Sequence, residues 1–91
     1  MEKLHQIIDE RIEKCRKAIE SNKKILDDMD TDIMNLYIDC QLADDTEEMC
    51  RLENELNSKR CMYRQRKAEF EEEADKLNKE IGKLEMLKDR K

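Results

Sequence analysis

The chain has 91 residues, 47% of them charged, a net charge of −5 at pH 7, and Tyr37, Tyr63 and Phe70 as its aromatic side chains. That length makes one small domain with a modest core, and the acidic balance argues against a protein that coats nucleic acid or anionic membrane. No apolar run approaches the roughly 18 residues of a membrane span, and the N-terminus lacks the apolar core of a signal peptide. The expected compartment is therefore the cytoplasm, that of the host if the protein is viral, with Cys15, Cys40, Cys50 and Cys61 reduced.

In the first half, Ile8, Ile12, Cys15, Ile19, Asn22, Leu26, Met29, Ile33, Leu36, Cys40 and Ala43 recur at alternating steps of three and four. This spacing predicts the seam of a coiled-coil helix over residues 2–43. Asp has poor helix propensity, so the stretch from Asp27 to Asp32 is a potential break. The seam keeps its phase across it through Leu26, Met29 and Ile33, which predicts one continuous helix.

Residues 44–46 predict the turn. Asp44, Asp45 and Thr46 can each cap a helix start, and Asp45 followed by Glu48 resembles a capping box. Neither Gly nor Pro enforces a reversal there, so a single unbroken helix is the competing reading.

A second helix is predicted over 47–89. Met49, Leu56, Tyr63, Phe70, Leu77 and Leu84 fall seven apart, and Leu52, Ala74, Ile81 and Leu87 widen the stripe. Lys59, Arg66, Glu73 and Glu80 interrupt the partner position, which predicts a wetter seam than the first. Gly82 lies inside the last turns and should weaken them by about 1 kcal/mol.

If the chain reverses at its midpoint, residues meeting across the hairpin have numbers totalling about 89. Ile8 then meets Ile81, Ile12 meets Leu77, Cys15 meets Ala74, Ile19 meets Phe70, Asn22 meets Lys67, Leu26 meets Tyr63 and Ile33 meets Leu56. Charges match in the same sense: Lys14, Arg16 and Lys17 face Glu72, Glu73 and Asp75; Asp30 faces Lys59; and Glu10 and Glu13 lie near Lys76 and Lys79. The expected fold class is all-α: an antiparallel two-helix coiled-coil hairpin. Ile7, Ile25, Met34, Ile38, Leu42 and Met62 lie off this seam, which predicts dimerisation into a four-helix bundle.

Two surfaces stand out as candidate sites. From Ile33 to Ala43 the first helix is apolar on nearly every side, and Ile33, Met34, Tyr37, Ile38 and Leu42 are the expected partner-binding residues. Their competing role is the core of a dimer. The second surface is the one dense basic cluster, in which Lys59, Arg60, Arg64, Arg66 and Lys67 could meet phosphates. Here the competing role is a solvated face answered by the acidic Asp27–Asp32 segment, and Glu69, Glu71, Glu72 and Glu73 would repel a long polyanion.

Cys40 and Cys50 are equidistant from the turn, but half-buried free thiols are expected of both. The cysteine spacing, with one histidine, argues against zinc, and the Glu2-Lys3-Leu4-His5 match to a di-iron spacing lacks its second copy. No metal or cofactor is expected. A glycine-rich phosphate loop, a nucleophile elbow and a His-Glu-x-x-His pair are all missing, so the chain is expected not to be an enzyme.

Heptad spacing is shared by unrelated proteins and carries no function by itself. The expected function is a non-enzymatic protein–protein interaction module, an oligomeric adaptor or assembly element. It would form a homo-oligomer, with a dimer favoured, and engage a second protein. One alternative is a small phage-type inhibitor that blocks a larger host enzyme or defence complex. The other is capture of a phosphate-bearing ligand, nucleotide or nucleic acid through the Lys59–Lys67 cluster.

Overall fold

Helix α1 spans Glu2–Leu42 and helix α2 spans Thr46–Arg90, in a computed structural model that describes residues 2–90. The chain is an all-α two-helix hairpin. Helix α1 continues through the Asp27–Asp32 stretch. Within it Thr31 Oγ1 donates to the Asp27 carbonyl at 3.0 Å, returning a hydroxyl that would otherwise compete for backbone to the preceding turn.

The reversal is built by Asp45. Its carbonyl accepts the Met49 N–H at 2.9 Å, the first bond of α2, and its side-chain Oδ1 accepts the Glu47 N–H at 3.2 Å. Asp45 is therefore the N-cap, and Glu47 and Glu48 lie in the first turn, where the helix dipole favours carboxylates. On the other side, Ala43 N–H bonds the Cys40 carbonyl at 3.4 Å and tightens the last turn of α1. Asp45→Ala is expected to cost about 1 kcal/mol and to lower the melting temperature by about 4–8 °C. Thermal unfolding followed by circular dichroism checks this.

The chain divides into two compact units, one of residues up to Lys23 with residues from Glu69 onward, the other Lys24–Ala68. In the Lys24–Ala68 unit, Leu36, Cys40, Leu52 and Leu56 form a buried cluster with Ile33 and Ala43 packed against it. In the other unit the buried cluster is Ile8, Ile12 and Leu84, with Ile81 against it. Every apolar position of the α1 seam is buried or half-buried, while Ile7, Ile25, Met34, Ile38, Leu42 and Met62 are exposed, as their spacing predicts. Leu87 departs from expectation. It is 45% exposed rather than part of the α2 stripe.

Ile33 and Leu56 fall in one packed cluster, and Ile8 and Ile81 in the other. The polar partners depart from the predicted alignment. Numbers total 91 for Arg11–Glu80, 95 for Cys15–Glu80 and Asn22–Glu73, and 97 for Asp9–Lys88. The cause is the tilt of Cα–Cβ bonds toward each helix N-terminus. In an antiparallel pair, α1 side chains lean away from the turn and α2 side chains lean toward it. Contacting residues are therefore numbered higher than a count along the backbone predicts. Asn22 Nδ2 accordingly donates to Glu73 Oε2 at 3.2 Å, and Cys15 Sγ donates to Glu80 Oε2 at 3.5 Å.

The ion pairs across the hairpin are Asp9–Lys88 at 2.7 Å, Arg11–Glu80 at 3.2 Å and Arg16–Glu85 at 3.5 Å. They replace the expected pairing of Arg16 with Glu72, Glu73 and Asp75. All are solvent-exposed and contribute about 0–1 kcal/mol each. Long side chains choose among several nearby carboxylates, so sign alone predicted the antiparallel sense but not the pairs.

All four cysteines are free, with Cys15 and Cys40 buried and Cys50 and Cys61 exposed. Cys50 lies two residues before the buried Leu52, hence about 200° around the helix from it, and this turns it away from Cys40. Burial raises the Cys40 thiol pKa, with the charges of Glu53 and Asp39 adding to it and Arg60 opposing. Burial also raises that of Cys15, with the hydrogen bond to Glu80 adding to it. A raised folded pKa keeps its contribution to stability below the ordinary value of 9.0 and loses it as pH climbs through the folded value. Melting temperature should therefore fall from pH 9.0 upward, and less steeply in Cys40→Ala than in the wild type.

Gly82 is half-buried in α2, and a Cβ there would meet nothing within 4 Å. Gly82→Ala is expected to stabilise the chain by about 0.5–1 kcal/mol, read as a raised urea midpoint with an unchanged slope. Among the described residues no helix is long and apolar enough to cross a membrane.

Candidate functional site

Both surfaces marked by the sequence lie in the Lys24–Ala68 unit. Successive residues of a helix are about 100° apart, and those four apart stack on one side. The buried Leu36 and Cys40 set the inner side of α1, so Met34, Ile38 and Leu42 fall on its outer side, with Tyr37 on the flank. Their exposures are 58%, 51%, 72% and 48% respectively. Ile33, the fifth residue expected on this surface, is half-buried and packs against the core while also lining the groove between the helices.

The basic cluster does not form a single patch. Arg60, Arg64 and Lys67 line a groove of about 510 Å³ between α1 and α2, together with Asp30, Met34 and Tyr37. Lys59 lines a separate recess of about 150 Å³ with Met29, Asp32 and Met62. Arg66 precedes Lys67 by one residue and so points about 100° away from it. The fold therefore divides five consecutive-looking cations between two sides of α2.

The groove joins what the sequence separates. Met34 and Tyr37 come from the apolar stretch, Arg60, Arg64 and Lys67 from the basic one, and both tyrosines of the chain, Tyr37 and Tyr63, line it. Asp30 lies in this groove rather than against Lys59, the expected partner. Among the described residues Arg60, Arg64 and Lys67 make no ion pair within 4.0 Å. Chemically the groove is an apolar and aromatic floor edged by three cations and one carboxylate. It suits an anionic surface that carries apolar side chains.

A larger concavity of about 900 Å³ lies in the other unit, but it is lined by α1 alone, between Glu2 and Lys17, and is a furrow along one helix. His5 and Glu2 border it. No group of three or more His, Cys, Asp and Glu side chains is placed to hold a metal ion among the described residues.

The chain matches no family model, no curated protein and no solved structure.

Proposed function

We propose that the chain is a non-enzymatic protein–protein interaction module, a coiled-coil hairpin that dimerises and serves as an adaptor or assembly element. One observation carries this reading: the outer side of α1 exposes Met34, Ile38 and Leu42 in line, beside Tyr37, in a chain otherwise rich in charge. Contiguous exposed apolar surface marks interaction sites, and methionine and tyrosine are enriched where proteins meet. A dimer would bring four helices around this stripe.

Cys15 and Cys40 are buried and their thiol pKa values are raised by that burial, which argues against either of them acting as a nucleophile. The test of the interaction face is Tyr37→Glu with Ile38→Asp, followed by mass in solution and by pull-down from the native cell. Loss of association supports the reading, and unchanged mass and partners contradict it.

The groove favours a second reading, capture of a phosphate-bearing ligand by Arg60, Arg64 and Lys67 with a tyrosine on either side. A nucleoside triphosphate or inorganic phosphate should then raise the melting temperature in proportion to the logarithm of its concentration. No shift at low salt would contradict capture.

A further inference from the structure

We infer that the hairpin opens in two steps, beginning at the side remote from its turn. The unit of residues up to Lys23 with those from Glu69 onward separates first and bares Ile8, Ile12, Leu84 and the Cys15 thiol. The Lys24–Ala68 unit stays closed meanwhile.

Two polar layers run through the unit that opens. Cys15 and Asn22 are seven residues apart on α1, and Glu80 and Glu73, which accept their hydrogen bonds, are seven apart on α2. A coiled-coil seam repeats every seven residues, so these are successive layers of one column. A polar layer in such a column fixes register at a cost in stability. Glu80 also accepts a hydrogen bond from Arg11. The apolar seam around these layers is thin: Ile19, Phe70 and Leu77 are only half-buried, and the buried cluster is Ile8, Ile12 and Leu84. The ion pairs Asp9–Lys88, Arg11–Glu80 and Arg16–Glu85 are exposed and add little.

The Lys24–Ala68 unit differs on both counts. Among its described residues no side-chain hydrogen bond joins α1 to α2. Leu36, Cys40, Leu52 and Leu56 form its buried cluster close to the turn in sequence. Loop closure adds a further asymmetry. Bringing Cys40 to Leu52 closes only the short turn segment, whereas the other unit, formed alone, would close the whole of Lys24–Ala68 as a loop. The entropic cost rises with loop length, so the turn unit can persist alone and the other cannot. Proteins open locally at their least stable contiguous piece. Met34, Tyr37, Ile38 and Leu42 thus keep their exposed positions while a second apolar surface is reached only by opening.

The two buried thiols report on the two units. In a chain carrying Cys50→Ser and Cys61→Ser, iodoacetamide labelling is followed at Cys15 and Cys40 by peptide mass. Each rate is divided by that of the same thiol in the urea-unfolded chain, which removes differences in intrinsic reactivity. Cys15 should label about tenfold or more faster than Cys40. Its rate should also rise less steeply with sub-denaturing urea, because opening one unit exposes less surface than opening both. Adding Leu56→Ala should raise the Cys40 rate about tenfold or more and leave the Cys15 rate within about twofold.

A corrected Cys15 rate no faster than that of Cys40, or equal urea dependence of the two, would overturn the two-step opening. So would a Leu56→Ala chain in which both rates rise together. The urea dependence is read without Leu56→Ala, so it decides the matter even if that variant does not fold.

Discussion

Leu56→Ala is expected to lower stability by about 2–3 kcal/mol, the low end of the usual range for a buried leucine, and the melting temperature by about 10 °C or more. Leu56 is 5% exposed and sits in the cluster of Leu36, Cys40 and Leu52, with Ile33 and Ala43 against it. Truncation removes apolar area and leaves a space that helix backbones cannot fully close. The low end applies because two helices wall the cluster, so water enters from the open sides and neighbours shift into the gap. Against a total stability of about 5–15 kcal/mol for small domains, this is still a large fraction. Met62→Ala provides the contrast. Met62 is exposed, so its loss should change stability by no more than about 0.5 kcal/mol. Urea unfolding of the two variants side by side checks the difference. Equal effects would mean that the Leu36–Leu56 cluster is not what holds the turn end together.

Ile38→Asp is expected to leave the hairpin folded and to abolish self-association, raising the dissociation constant about a hundredfold or more. The side chain is half exposed in the single chain, so an aspartate there remains hydrated, and its cost to the monomer is a change of helix propensity of about 0.5 kcal/mol. At an interface on the outer side of α1 the same substitution would bury a carboxylate among apolar side chains with no cation beside it, and truncation or charge at the centre of an interface is where the largest losses occur. Circular dichroism and sedimentation velocity on one sample separate the two effects. An unfolded variant would place Ile38 in the core, contrary to its exposure, and a variant that keeps its oligomeric mass would remove the outer face of α1 from the interface.

Much of the fold was legible because burial in a helical hairpin is a matter of period. The three-and-four spacing from Ile8 to Ala43 picked out the side of α1 that is buried, and the residues left off it are those the structure exposes. The reversal was legible from chemistry, since Asp45 can cap a helix without glycine or proline nearby. Cross-hairpin partners were less so. A count along the backbone ignores the lean of side chains toward each N-terminus, and it gave no sign of the hydrogen bonds from Asn22 to Glu73 and from Cys15 to Glu80. Leu87 satisfied the pattern but remained exposed near the end of α2.

At the candidate site, the stretch around Tyr37 was legible as unusually apolar, and the run from Lys59 to Lys67 as unusually basic. Their relation was not. Adjacent letters in a basic run point about 100° apart on a helix, so Lys59 and Arg66 left the cluster, whereas Arg60, Arg64 and Lys67 joined Met34 and Tyr37 in one groove. The pairing of an apolar stripe with uncommitted cations is a property of two helices together. It is what turns two separate hints into one surface.

The most direct test of the account is the mass of the unmodified chain by sedimentation equilibrium at low salt over micromolar concentrations. A species of twice the 11.0 kDa chain mass is expected, giving way to the single chain on dilution. A single chain throughout that range would contradict it.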